Sequence, residues 1–384
     1  MNRRNKPNSN SNGKRILHGC TGLLLLLMTG MVSSSCRSRH LAAGRPPTSS
    51  DNAGLKDVYR SYFPIGVAVN AHNIQGEEGK LMLKEFNSIT PENDMKMGPI
   101  HPRQHWYNWK NADRIVAFAG AYKIKVRGHN LCWHEQTPNW MFKDSDGNEV
   151  SRDTLFQRLK SHIYTVVGRY KDAVYCWDVV NEAVADDPSE LLRDSKWLKI
   201  CGPAFIDSAF WYAHQADPKA ALFYNDYNAV RPEKRKRIIK LLKGLLDRGV
   251  PITGVGIQAH WSINEPSQQE LTEAIEAYAA LGLKVQFTEL DVSVFPWEKN
   301  RRSLKPSDKV VYKGELEDRQ RAAYKMFFQV FRKYKKDITG VTFWNLSDKD
   351  TWLDNYPVPG RKNYPLLFDT SLQRKAVYYD VTRF

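Results

Sequence analysis

Short runs of apolar and β-branched residues, each closing on polar side chains, recur eight times along the chain: Phe63–Asn70, Phe86–Asn93, Lys125–Trp133, Val174–Glu182, Ala221–Tyr227, Ile252–His260, Lys284–Asp291 and Ile338–Leu346. Between most of these runs the apolar positions fall at helical spacing, as in Asn111–Ala121, Asp153–Tyr170, Glu233–Arg248 and Gln269–Leu281. Strand and helix alternating eight times predicts an α/β fold, a closed (β/α)8 TIM barrel, as a single domain over residues 56–384. The competing architecture is an open doubly wound sheet. It lacks its usual support, because no glycine-rich phosphate loop follows the first run.

The pattern before residue 56 is different. Residues 1–19 are polar and basic, Gly22–Val32 is an apolar run, and Ser33, Ser34, Ser35 and Cys36 follow it. The run is too short to span a bilayer as a helix, and its flanks are those of a cleaved export signal. Small residues ending in a cysteine resemble a bacterial lipoprotein signal over 1–36. The resemblance implies that Cys36 is acylated and that the exported chain is lipid-anchored to a membrane, on its periplasmic or cell-surface side. The alternative is an ordinary cleaved signal with an incidental cysteine. Arg37, Ser38 and Arg39 include no acidic residue, which disfavours outward sorting by an acidic tag. Residues 37–55, rich in Ser, Arg, Pro and Gly, have the composition of a flexible tether.

The formal net charge of +15 falls to +10 once Arg3, Arg4, Lys6, Lys14 and Arg15 leave with the signal segment. The remaining cations are spread along helix-like stretches such as Arg231–Lys243, with neither a basic arm nor zinc-finger spacing, so solvated helix faces are expected and no nucleic-acid partner. Cys132, Cys176 and Cys201 show no CxxC or Cys/His metal spacing and are expected as buried small hydrophobes. No metal and no cofactor is expected, because the histidines have neither HExxH nor facial-triad spacing. Nothing in the pattern calls for an oligomer, and a monomer is the default.

The chemistry concentrates at the ends of the predicted strands. Asn70, Glu92, Asn93, His129, Trp133, Asn181, Glu182, Asp226, Gln258, His260, Glu289, Asp291 and Trp344 all lie at or just past those ends, which converge on one face of a barrel. A ring of Glu, His, Asn, Gln and Trp does not serve stability there. Glu182 and Glu289, on the fourth and seventh strands, sit across the barrel mouth. A pair of carboxylates about 5–5.5 Å apart hydrolyses a glycosidic bond with retention, one as acid/base and one as nucleophile. His260 and Asp291 are placed to hold Glu289 ionised, and Asn181 to meet a sugar hydroxyl.

Seven segments, TPENDMK (90–96), RGHNLCWHEQTPNW (127–140), WDVVNE (177–182), FYNDYN (223–228), GIQAHW (256–261), TELD (288–291) and WNLSDKDTW (344–352), resemble in order those of the glycoside hydrolase family 10 endo-β-1,4-xylanases, over about residues 60–380. The resemblance implies retaining endo-hydrolysis of xylan or xylo-oligosaccharides, with Glu182 as general acid/base and Glu289 as nucleophile. It also implies that Glu92, Asn93, Lys96, His129, Trp133, Gln136, Asn181, Gln258, His260, Trp344 and Trp352 line the glycone-side subsites, with Tyr227 stacking on the aglycone side. His134 also matches, either as a site residue or as a core histidine. Met97, Glu135 and Asn345 depart from the family pattern beside subsite residues, Asn345 standing where a glycine is usual. Two other functions compete: a β-1,4-glucanase or mannanase of a related barrel family, and a non-catalytic sugar-binding lipoprotein, which would need neither glutamate.

Overall fold

The computed structural model describes residues 53–384; the signal-like segment 1–36, with Cys36, and most of the expected tether lie outside the described residues. Leu55, at the end of that expected tether, is already fully buried and donates its backbone N–H to Glu85. Nine strands follow: β1 Ile65–Val69, β2 Ser88–Pro91, β3 Lys125–Trp133, β4 Val174–Asn181, β5 Ala221–Asp226, β6 Gly254–Ile257, β7 His260–Ser262, β8 Lys284–Ser293 and β9 Ile338–Phe343. Each of β1 to β6, β8 and β9 pairs in parallel with the next, and β9 returns to β1, so eight staves close a barrel. Closure leaves the eight staves without an open edge and brings all eight C-terminal ends to one mouth.

The sixth expected strand, Ile252–His260, is divided. β6 stops at Ile257, Ala259 takes a positive φ of 65°, and the chain re-forms as β7 against β8 with His260 opposite Asp291. The break turns the two polar positions on either side of Ala259, Gln258 and His260, towards different neighbours.

The helices form where the sequence places them, with identifiable signals at their starts. Arg152–Arg169 begins after Ser151, whose hydroxyl accepts from the N–H of Thr154; Gln268–Ala279 begins with a capping box between Ser267 and Glu270; Pro232–Asp247 carries proline at its first position. Their apolar faces pack Leu155, Leu159, Ile163, Ile238, Leu242, Leu245, Leu271 and Ile275 against the barrel, all within one continuous core. Cys132, Cys176 and Cys201 are buried free thiols, Cys132 and Cys201 within the apolar core and Cys176 against Gln286. Among the described residues no helix is long and apolar enough to cross a membrane.

The barrel interior is not purely apolar. Arg127, on β3, is fully buried; both ends of its guanidinium donate to Asp178 of β4, and its Nε donates to Gln286 of β8 at 2.8 Å. Asp178 in turn holds Nδ1 of His129 at 2.8 Å. Between these charges Gly128 lies against the Trp177 indole, where a Cβ would come within 2.1 Å of the ring, so no larger residue fits. Register shifts between His129 and Cys132 on β3, Asp178 and Val180 on β4, and Phe287 and Leu290 on β8 re-aim side chains just below the mouth.

Candidate active site

Glu182 follows the last residue of β4 and Glu289 lies in the upper part of β8, so the parallel staves deliver both to the mouth. They are 8% and 4% exposed. Such burial by itself raises the pKa of any carboxyl. What surrounds each one decides its charge.

Around Glu289 the partners are cationic or polar donors. Oε2 lies 3.1 Å from His260 Nε2, and Oε1 accepts from Asn225 Nδ2 at 2.8 Å. His260 Nδ1 meets Asp291 Oδ2 at 2.8 Å, and Trp352 Nε1 donates to the same oxygen at 2.8 Å. Burial pulls the His260 pKa down, but the Asp291 charge and the hydrogen bonds to Asp291 and Glu289 outweigh it and raise it to about 10. The imidazole is therefore a cation, donating on both sides. Burial likewise pushes the Glu289 carboxyl up; the hydrogen bond from His260 and the pull of His129, His260 and Lys96 prevail and hold it at about 2.

Around Glu182 the donors are neutral. Trp133 Nε1 donates to Oε2 at 2.9 Å, and Gln258 Nε2 and Asn181 Nδ2 donate to Oε1 at 2.8 and 3.1 Å. Burial and the nearby Asp226 charge push the carboxyl up, the Gln258 and Trp133 hydrogen bonds offset part of this, and the Glu289 charge adds to it, giving about 7. The Glu182 backbone has φ 58°. It is pinned by its N–H on the Asn225 carbonyl at 2.8 Å and by Arg193 Nε on its own carbonyl at 2.9 Å. Fixing an uncommon conformation from both ends is what a strand-end catalytic group requires. Asn181 and Asn225 connect the two carboxylates: Asn225 Nδ2 also donates to Asn181 Oδ1 at 2.8 Å, and Asn225 Oδ1 accepts from Thr288 at 2.7 Å.

The structure sorts the remaining sequence candidates. Lys96 is buried with its Nζ on Asn93 Oδ1 at 2.9 Å, 5.1 and 5.9 Å from the Trp133 and Trp344 ring centres. Glu92 accepts from Asn345, and His129 meets Trp344 edge-on. These side chains gather on the β1–β3 and β9 side of the mouth. Expected subsite residues also serve the protein itself: Trp133, Gln258 and Asn181 hold Glu182, His260 holds Glu289, and Trp352 holds Asp291 while its ring lies 4.8 Å from His260. Gln136 is exposed in the loop after β3 at φ 48°. Tyr227 is locked, its hydroxyl between Asp186 and Arg193 and one ring face under the Lys234 ammonium at 3.5 Å. Asn70, by contrast, folds back onto the N–H groups of His72 and Asn73 and forms its own turn. His134 is half-buried beside Trp133, and burial, then the Arg193 charge, lower its pKa to about 3, so it is neutral. Among the described residues no group of three or more His, Cys, Asp or Glu side chains is placed to hold a metal.

Sequence reasoning missed Asn225, Thr288, Asp178 and Arg193. For Asn225 a signal existed: it precedes Asp226 at the end of β5 and pairs in register with Asn181. Arg193 lies in a loop after β4, and no periodicity foretells its return to the Glu182 carbonyl.

Comparison with known proteins gives a consistent result. The family Glycosyl hydrolase family 10 matches residues 54–384. The chain is 48% identical over 333 residues to Endo-1,4-beta-xylanase B of Paenibacillus barcinonensis, covering 87% of this chain and 98% of that protein. It is 47% identical over 328 residues to an Endo-1,4-beta-xylanase of Geobacillus stearothermophilus, covering 85% and 97%. Among solved structures, an endo-1,4-beta-xylanase from Caldicellulosiruptor owensensis superposes with a TM-score of 0.83 at 48% identity, over 86% of this chain and all of that one.

Proposed function

This chain belongs to glycosyl hydrolase family 10, and from that premise we propose that it is an endo-1,4-β-xylanase that cleaves xylan and xylo-oligosaccharides with retention of configuration. The observation that carries this reading is a pair of buried glutamates at one barrel mouth in opposite surroundings: Glu289 beside the His260 cation, its carboxyl held at about 2, and Glu182 among neutral donors, its carboxyl raised to about 7. Glu289, ionised, attacks the anomeric carbon while Glu182 gives its proton to the departing glycosidic oxygen; this leaves a glycosyl ester on Glu289 and an ionised Glu182. Glu182 then takes a proton from water as that water attacks the same carbon, the ester bond breaks, and both carboxyls return to their starting states. Lys96, Asn93, Glu92 and His129 supply donors and acceptors for glycone hydroxyls. The test is hydrolysis of a defined xylo-oligosaccharide followed by NMR. The β-anomer is expected as first product, and the α-anomer overturns the mechanism. Parallel assays on xylan, β-glucan and mannan check the substrate, and preference for either of the last two overturns it.

Cys36 acylation and anchoring to a bacterial membrane belong to the same proposal, supported by the apolar run and the small residues before Cys36. Labelling with a tagged fatty acid in a bacterial host is expected for the full chain and lost in Cys36→Ser. Label retained in the variant overturns the anchor. We take the barrel to act as a monomer, which light scattering of residues 54–384 checks.

A further inference from the structure

The turn after β9 contains a residue whose backbone and side chain point in different directions energetically. Asn345 has φ 94°, a region that L side chains rarely adopt and that glycine enters freely. It is 2% exposed, and its Oδ1 is buried without a hydrogen-bond partner. Both features disfavour an asparagine, and a glycine would remove both. One contact runs the other way: Asn345 Nδ2 donates at 3.1 Å to Oε2 of Glu92, 253 residues earlier. Glu92 follows β2 and Asn345 follows β9, the two staves that flank β1, so the contact spans the mouth above β1.

We propose that Asn345 is a positioning residue for substrate recognition: its amide fixes one oxygen of the Glu92 carboxylate, so that the other meets a sugar hydroxyl in the glycone half of the groove. Glu92 is a half-buried carboxylate without a cation in direct contact: Lys96 is hydrogen-bonded to Asn93. Burial pushes the Glu92 carboxyl up, and Lys96, Asn345 and Asn93 oppose that, so the amide also helps keep it an acceptor. A carboxylate held at one oxygen loses less freedom when the other binds a hydroxyl. The contact supplies a physical reason for an otherwise unfavourable residue.

The inference rests on the xylanase reading, and the experiment separates the two. Wild-type turnover of an aryl β-xylobioside tests the reading alone. Asn345→Gly is then compared with Glu92→Ala and with the double variant. For Asn345→Gly we expect KM to rise roughly five- to tenfold with kcat within about twofold, the split expected when binding shared by ground and transition states is lost. Tm is expected unchanged or higher, because glycine suits φ 94°. Asn345→Asp keeps the shape but faces Glu92 with a second carboxylate, and its KM is expected to exceed that of Asn345→Gly. In the double variant the two KM effects are expected not to multiply, because both act through one carboxylate. Unchanged KM in Asn345→Gly overturns the proposal, as does full multiplication of the two effects. So does an equal fall in kcat and Tm, the sign of a purely structural role.

Discussion

The wall built by β7 and β8 and the wall built by β3 to β6 each present one glutamate to the same mouth, and each removes it almost completely from solvent. They treat it oppositely. On the first wall a chain of charge runs from Asp291 through the His260 cation to Glu289, with Trp352 capping the far end. On the second, Trp133, Asn181 and Gln258 offer Glu182 neutral donors only, and the charge that acts on it most strongly, Asp226, has the same sign. Burial sets the scale of both shifts. The sign comes from whether the partner is a cation or a dipole. Two roles thus arise from one residue type, through strand register that sets His260 beside Asp291 and Asn181 beside Asn225.

Deleting each glutamate breaks the comparison most directly. Glu289→Ala is expected to lower kcat on xylan by at least ~10⁴-fold. Azide, filling the space left by the carboxylate, is expected to restore some turnover of an activated aryl xylobioside with an α-configured azide product. Glu182→Gln is expected to lower kcat on xylan by about 10²–10⁴-fold, and much less on an aryl xylobioside whose leaving group needs no proton. Equal losses on both substrates in Glu182→Gln would remove the distinction between the two walls. In the proposed mechanism, wild-type activity needs Glu289 ionised and Glu182 protonated. kcat/KM is therefore expected to fall as pH rises through about 7 and to hold its plateau down towards about 2 for as long as the fold survives.

His260→Asn tests the charged wall alone. Glu289 loses its cationic donor while staying buried, so its carboxyl rises and the acid limb of kcat/KM moves to higher pH. A loss of about 10²-fold at the plateau is expected, comparable to removing a charge-assisted hydrogen bond worth about 2–3 kcal/mol. The alkaline limb, set by the other wall, is expected to stay in place. A displaced alkaline limb with an unmoved acid limb would reverse the assignment.

Much of this was legible in the chain because strands and helices leave periodic patterns. Seven of the eight staves fall inside the predicted runs, while β8 continues two residues past its own to Ser293, so Glu182 follows the end of β4 and Glu289 lies within β8. The illegible parts are those that periodicity does not encode. Trp133 and Gln258 carry sugar-binding residue types, yet their N–H groups turn to Glu182, because the register shift on β3 and the break after β6 re-aim them. Arg127 and Asp178 lie within a stretch expected to be apolar, and only the closed barrel shows that each is the other's partner. Asn345 was visible as an oddity; its contact with Glu92 depends on a 253-residue closure that no local signal specifies.

The smallest expected effect probes the neutral wall most finely. Asp226 is fully buried at the end of β5, accepts from Tyr224 at 2.5 Å and pairs with Lys234 at 2.7 Å; Lys234 also reaches Asp186 at 3.3 Å. Burial raises the Asp226 carboxyl and Lys234 lowers it, so its charge is only partly neutralised where Glu182 feels it. Asp226→Asn removes that negative charge and keeps the shape. Glu182, relieved of a like charge, then ionises more readily, and its pKa falls. Because the proposed mechanism uses Glu182 as the acid, the alkaline limb of kcat/KM is expected to move down by about half a pH unit, with the plateau within about twofold. Lys234 keeps Asp186 as counter-ion, so the variant is expected to fold with a modestly lower Tm. The acid limb belongs to Glu289 on the opposite wall and is expected not to move. An alkaline limb that stays in place or shifts upward would mean that burial alone, without Asp226, keeps Glu182 protonated, and the second wall would then be defined by its dryness rather than by its charge.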